Sequence, residues 1–282
     1  MKFEKRSLLE RLKVYVNNLF ITKGSSVKFV FVGKGGVGKT TLCALLATAL
    51  DQEGYKVLAI DANPDAHLAK ALGIEKVHTI AHEHYFMYTI LDGHDCVLPH
   101  MYAPHDLITN VVNRFGTSWG TQSTILTLGA GKYGGIECFL SEKSALWSMI
   151  RSIHKKSYDI ILIDTESGLE PLRQGFSSNI DILVSLFQTT QRSIDMAKDA
   201  NELAHKIEIT TVVNVLIGYL SEREARKAEE RFGAEIAFKI PYLESIHQSA
   251  IEGSLVSLDL IWKESMKNFA LNLYANAMKT VA

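Results

Sequence analysis

Apolar residues in this chain gather in short, predominantly apolar runs, separated by longer segments in which they fall on one helical face. Val27 to Val32, Lys56 to Asp61, Ser123 to Leu128, Tyr158 to Asp164, Ile182 to Leu186, Thr210 to Leu216 and Ala234 to Ile240 read as buried strands, the sixth ending near Asn214. Leu42 to Leu50, Ala66 to Leu72, Glu142 to Ile153, Ser193 to His205, Glu222 to Arg231 and Ile261 to Met278 read as helices. Strands that alternate with helices predict an α/β fold, with a mostly parallel, doubly wound sheet flanked by helices on both faces. The last helix carries Trp262, Met266, Phe269, Leu273 and Ala277 at helical spacing, so it is expected to dock on the core.

The turn between the first strand and the first helix reads Gly33-Lys34-Gly35-Gly36-Val37-Gly38-Lys39-Thr40-Thr41, a G-x-x-x-x-G-K-[ST] match in its strand-to-helix setting. Glycines at these positions let successive backbone N–H groups turn inward around a phosphate chain, and the following helix adds its positive end. Lys39 is placed to reach the β- and γ-phosphates, and the Thr40 hydroxyl to ligate Mg²⁺. The strand Tyr158 to Asp164 is apolar and ends in an acid, the form in which Asp164 holds the same Mg²⁺ directly or through water. Together these features specify the three-layer P-loop variety of the α/β class. The second strand also ends in an acidic loop, Asp61-Ala62-Asn63-Pro64-Asp65, at the sheet edge where such folds present ligand loops.

Composition narrows the classes. The formal net charge is −1, so no charge excess points to nucleic acid or to an anionic membrane. Three scattered cysteines, Cys43, Cys96 and Cys138, make no disulfide framework and suit a reduced, cytoplasmic compartment. Cys43 follows the P-loop on its helix and reads as core. Residues 1–26 carry Leu8, Leu9, Leu12, Val16, Leu19 and Phe20 as a helical stripe with basic residues elsewhere on the wheel. They read as a helical extension packed on the domain or on a partner, with a membrane-surface role as the alternative, and not as a signal peptide. No uncharged apolar run reaches 18 residues, so no transmembrane span is expected. Around residues 78–114 the periodicity weakens and six of the ten histidines gather with Cys96. His82-x-His84 and His94-x-Cys96 are conceivable ligand pairs, but their spacing matches no established metal pattern.

An ordinary P-loop needs no lysine in its second position. With Lys34 there, GKGGVGKTT resembles the deviant Walker A motif of the superfamily that contains nitrogenase iron protein, MinD/ParA and the arsenite-pump ATPases. Within it the chain is most similar to the CooC group, the accessory ATPases that insert nickel into carbon monoxide dehydrogenase. The resemblance implies one ATPase domain over residues 27–282, with the histidine-rich segment as an insertion. It implies that ATP or ADP with Mg²⁺ is bound, and that Lys34 crosses the interface of an ATP-dependent homodimer to the partner's nucleotide. Asp61 to Leu68 looks like switch I, Asp164 to Glu170 like switch II, and Arg192-Ser193-Ile194 like the segment after the next strand. Asn214 stands where the superfamily sets an Asn on the adenine ring, and Pro241-Tyr242 with Glu244-Ser245-Ile246 resembles the loop that borders the base.

Two departures from the family pattern bear on function. The switch I aspartate that positions the attacking water is Asn63 here, and a neutral amide is a far poorer base than a carboxylate. The resemblance then implies firm ATP binding with slow ATPase turnover, Asp61 or Asp65 partly substituting. The C-x-C that gives the nickel group four thiolates per dimer is reduced to Cys138, with Leu140 in the second place. Two thiolates cannot complete a Cys₄ site for Ni²⁺ or Zn²⁺, so other ligands would have to. No cysteine follows Asp164, which disfavours a nitrogenase-type cluster. The resulting expectation is a metallocentre maturation or nickel-insertion accessory factor acting on a client metalloenzyme or other protein. The alternatives are a MinD/ParA-like positioning or regulatory ATPase that binds a protein, DNA or membrane, and a nucleotide-sensing subunit with little catalysis.

Overall fold

The computed structural model describes residues 26–80, 111–129, 157–173 and 180–281. The helical reading of residues 1–26 falls on residues 1–25 almost entirely. It lies outside the described residues, as do most of the histidine-rich segment, Cys96, Cys138 and the expected helix from Glu142 to Ile153.

Among the described residues eight strands form one sheet in the order β3-β4-β2-β5-β1-β6-β7-β8. They are β1 (Val27–Gly33), β2 (Val57–Asp61), β3 (Thr117–Trp119), β4 (Ser123–Thr127), β5 (Ile160–Asp164), β6 (Ile182–Phe187), β7 (Val212–Tyr219) and β8 (Phe238–Pro241). Every neighbouring pair is parallel except β3 with β4. β1 lies between β5 and β6 and is buried along its whole length, as a sequence apolar but for Lys28 requires for a strand covered on both faces.

The helices complete three layers. On one face α1 (Lys39–Gln52) and α7 (Leu260–Val281) share a core with Val27, Phe29 and Phe31. On the other, α4 (Gln191–Lys206) packs over Val30 and Val32, and α5 (Glu222–Phe232) extends that layer toward the β7 edge. The short helices are α2 (Leu68–Ala71), α3 (Glu170–Arg173) and α6 (Glu244–Glu252). The docking expected of the last helix is observed: Met266, Phe269, Leu273 and Ala277 are buried, and Trp262 packs against the same cluster. Phe269 stacks on Phe238 of β8 with ring centroids 4.2 Å apart, which ties α7 to the sheet edge. Cys43 is fully buried, and burial pushes its thiol well above the usual range, so it is a core residue.

Several elements differ from the sequence expectation: β3 and α3 have no expected counterpart, and β8 begins at Phe238 rather than Ala234. β7 does not stop near Asn214 but runs five residues further, because Val215 and Ile217 continue the apolar face toward α1. Glu244-Ser245-Ile246 is not a loop but the first turn of α6, which ends in the left-handed Gly253.

A buried acid fixes the antiparallel edge. Asp51, in the last turn of α1, is 4% exposed and accepts hydrogen bonds from Thr121 N, Thr121 Oγ1 and Ser123 Oγ. A side chain at Gly120 would sit 2.3 Å from this carboxylate. Asp51→Ala leaves those donors without an acceptor and is expected to cost about 3 kcal/mol, since each orphaned buried group costs about 1–3 kcal/mol. Thermal unfolding followed by circular dichroism checks it.

Candidate functional site

The P-loop geometry follows from its glycines. Gly33 ends β1 with its Cα against β6, where an added Cβ would lie 2.5 Å from the Leu186 carbonyl oxygen. Gly38 takes a left-handed conformation (φ 100°) as the N-cap of α1, which an L side chain rarely adopts. Between them Val37 N–H bonds back to the Lys34 carbonyl at 3.2 Å, so the loop closes on itself and presents its remaining amides at the helix N-terminus. Lys39 is 7% exposed and donates from Nζ to the carbonyls of Gly33 (3.2 Å) and Lys34 (3.3 Å). Burial lowers its pKa, and Asp164 opposes the shift. An ammonium held this way is poised to exchange weak carbonyl partners for phosphate oxygens.

Two carboxylates meet beneath the loop. Asp61 and Asp164 are register partners at the ends of β2 and β5, and both are buried. Thr40 Oγ1 donates to Asp164 Oδ2 at 2.6 Å, whereas Asp164 Oδ1 is buried with no hydrogen-bond partner among the described residues. An orphaned carboxylate oxygen beside a threonine hydroxyl at a helix N-terminus fits a hard divalent cation, which seeks oxygen ligands. Asp61 is used differently. Its Oδ1 accepts Asn63 N–H (3.1 Å) and its Oδ2 accepts Leu68 N–H (2.9 Å), so it folds the loop after β2 around itself.

Burial, reinforced by Asp164, pushes Asp61 up to about 7; burial pushes Asp164 up to about 6 against the pull of Thr40 and Lys39. The unfolded chain gives up these protons near the ordinary carboxylate value of 3.8, so the folded state binds more protons between about pH 4 and pH 7. Stability from this pair is therefore greatest at the acid end and falls as pH rises through that window. In chelator, melting temperature is expected to fall by several degrees across it, and Asp61→Asn to flatten the slope. An unchanged slope in that variant would assign the pH response to other groups.

The two loops beside the P-loop are fixed by backbone contacts. Asn63 Oδ1 accepts Asp65 N–H (3.1 Å) in a turn around Pro64. On the other side Thr165 Oγ1 donates to the Phe31 carbonyl (2.6 Å), and Gly168 N–H bonds to the Gly33 carbonyl (3.0 Å). These loops and the P-loop enclose a cleft of about 640 Å³. Gly35, Gly36, Gly38, Lys39, Thr40, Thr41 and Asn63 line it, as expected of a phosphate cradle and its neighbouring loop. The far wall comes from residues without a sequence signal of their own, Lys70 after α2 begins and Ser249, Gly253 and Ser254 around the end of α6. The glycine after Glu244–Glu252 was the available clue to that wall, since it marks a helix end.

Lys34 is half-buried at the loop's edge, and among the described residues its side chain makes no hydrogen bond or ion pair. Asn214, Pro241 and Tyr242 do not line the cleft. Asn214 is 6% exposed within β7; its Oδ1 accepts from Asn201 and its Nδ2 donates to Asn201 Oδ1 and the Glu235 carbonyl. A base would have to displace these bonds to reach that amide. Tyr242 is exposed, with its N–H on the Tyr219 carbonyl at the end of β7. Among the described residues no three His, Cys, Asp or Glu side chains group to hold a metal, and no helix is long and apolar enough to cross a membrane.

A family model described as the CobQ/CobB/MinD/ParA nucleotide binding domain matches residues 28–256. The carbon monoxide dehydrogenase accessory protein CooC of Rhodospirillum rubrum is 30% identical over 192 residues, spanning 67% of this chain and 73% of that protein. Among solved structures, a ParA family ATPase from Chlorobium tepidum superposes with a TM-score of 0.65 at 19% identity, covering 88% of this chain and 99% of its own. MinD from Pyrococcus horikoshii, solved with Mg-ADP, gives 0.63 at 21% identity, covering 88% and 96%.

Proposed function

Because this chain belongs to the CobQ/CobB/MinD/ParA nucleotide-binding family, as an ATP-binding P-loop ATPase of MinD/ParA type, we propose that it is an ATP-closed dimeric switch serving metallocentre assembly. The observation that carries the assembly role is the 30% identity with CooC across two thirds of the chain. The client is then a metalloenzyme or its apoprotein, and a transition metal such as nickel is cargo.

The residues divide the work. P-loop amides between Gly33 and Thr40 surround the phosphates, and Lys39 neutralises the β/γ end. Thr40 and Asp164 are the groups that would hold Mg²⁺, which supplies charge neutralisation of the phosphates when bound. Asp61 anchors switch I through two backbone amides, and Thr165 with Gly168 anchors switch II to β1 and the P-loop. A terminal phosphate lying between those loops favours one arrangement of both, and its loss releases them. Residues 27–282 act in this reading as one domain, with Asn214, Pro241 and Tyr242 adjoining the base after the bonds around Asn214 rearrange.

Light scattering with metal analysis, run with and without ATP and Mg²⁺ in the presence of nickel or zinc, tests the proposal. The expected result is a doubling of mass with ATP and metal retained only by the dimer, lost in Cys138→Ser. Doubling without metal in any state would remove the assembly role and leave a protein-partner switch.

A further inference from the structure

Residue 63, where the resemblance implies an aspartate, is an asparagine, so the source of any hydrolysis has to be sought among the acids at the cleft. Asp61 stands behind the loop, fully buried, with each oxygen accepting a backbone N–H. Withdrawing it would unfold the loop it holds. Glu166 lines the cleft from switch II and is already partnered. Asp65 is the remaining acid among the described lining residues.

Its placement follows from the turn. Asn63 uses its amide oxygen on Asp65 N–H, and Ala66 N–H bonds to the Asn63 carbonyl at 3.1 Å with Ala66 at φ 51°. Both bonds are accepted by residue 63 and hold the backbone N–H groups of residues 65 and 66, not the Asp65 carboxylate. That carboxylate is exposed at the cleft and, among the described residues, accepts no hydrogen bond and forms no ion pair. The sequence Asp61-x-Asn63-Pro64-Asp65 therefore moves the acid two positions along and fixes the new position with the amide left at the old one.

We propose that Asp65 is the catalytic base of this chain, orienting the attacking water and taking its proton; the proposal rests on the ATP-switch reading above. The water oxygen forms a bond to the γ-phosphorus. The bond from that phosphorus to the β,γ-bridging oxygen breaks, its electron pair staying on ADP. The water proton passes to Asp65 and then to solvent. His67, exposed at the same cleft, is the competing acceptor, whereas the Lys70 ammonium offers donors and no acceptor.

The test measures phosphate release at saturating Mg-ATP on the full chain, beside equilibrium binding of ATP. Asp65→Asn is expected to lower kcat at least about 30-fold, inside the range for loss of a general base, with ATP affinity unchanged. Asn63→Asp is expected to raise turnover, and the double exchange Asn63→Asp with Asp65→Asn to match or exceed wild type. A kcat in Asp65→Asn equal to wild type overturns the assignment, as does a collapse in His67→Asn with Asp65→Asn unaffected. A wild-type protein that binds ATP and hydrolyses none also overturns it while sparing the switch. Absence of ATP binding removes the switch reading itself.

Discussion

Lys39→Ala is expected to weaken ATP binding at least about 100-fold, because truncating one member of a buried charge-assisted pair costs about 2–5 kcal/mol and each 1.4 kcal/mol is tenfold. The ammonium is nearly inaccessible and sits on two carbonyls of the loop that would receive the phosphates. Two neutral acceptors compensate its burial only in part, which is why burial outweighs Asp164 and lowers its pKa. A polyphosphate offers several anionic oxygens in place of those carbonyls, so the gain on binding is concentrated at this one nitrogen. Loss of the side chain also frees the Gly33 carbonyl from one of its two donors, the other being Gly168 N–H. Switch II would then be the first region to loosen. Lys39→Met fills the volume without the charge and separates the two effects. Isothermal titration with Mg-ATP on both variants decides: near-normal affinity in either would dissociate Lys39 from phosphate binding.

The sheet and the P-loop were legible from the sequence because each rests on a local requirement. A strand covered on both faces has to be largely apolar, as Val27–Gly33 is apart from Lys28, and a loop with Gly33 against the β6 backbone has no substitute residue. Asp164 was legible for the same reason, as an acid that ends a buried strand. The role of Asp61 was not, since nothing in its neighbours states that both oxygens will be taken by backbone amides three-dimensionally close to it. Asn214 presents the opposite case. Its place by resemblance is clear, but Val215 and Ile217 extend the strand past it and Asn201, thirteen residues earlier on α4, fills its amide. That pairing is a tertiary event between two polar residues with no periodic signal. β3 escaped detection because three residues, two half-buried and one exposed, are too short a run to read, and α6 because it buries only Ser249.

Lys34→Ala is expected to abolish ATP-dependent dimerisation while leaving ATP binding by the monomer within about threefold of wild type. Lys34 contributes to its own loop through the backbone: its carbonyl accepts from Val37 N–H and Lys39 Nζ, and alanine preserves both bonds. Its ammonium makes no hydrogen bond or ion pair among the described residues, so the side chain is expendable within one copy. If it serves a nucleotide in the partner, two-fold symmetry counts each loss twice, and a contact worth about 2 kcal/mol per copy becomes about 4 kcal/mol, or roughly a thousandfold, in the dimer constant. The asymmetry between the two lysines is the decisive measurement. Lys39→Ala loses the nucleotide and, for that reason, the dimer; Lys34→Ala loses the dimer alone. Light scattering with a slowly hydrolysed ATP analogue, paired with titration at concentrations where wild type stays monomeric, separates these outcomes. A Lys34→Ala protein that doubles its mass as wild type does would confine the P-loop to a single chain, and one that fails to bind ATP as a monomer would place Lys34 on its own phosphates.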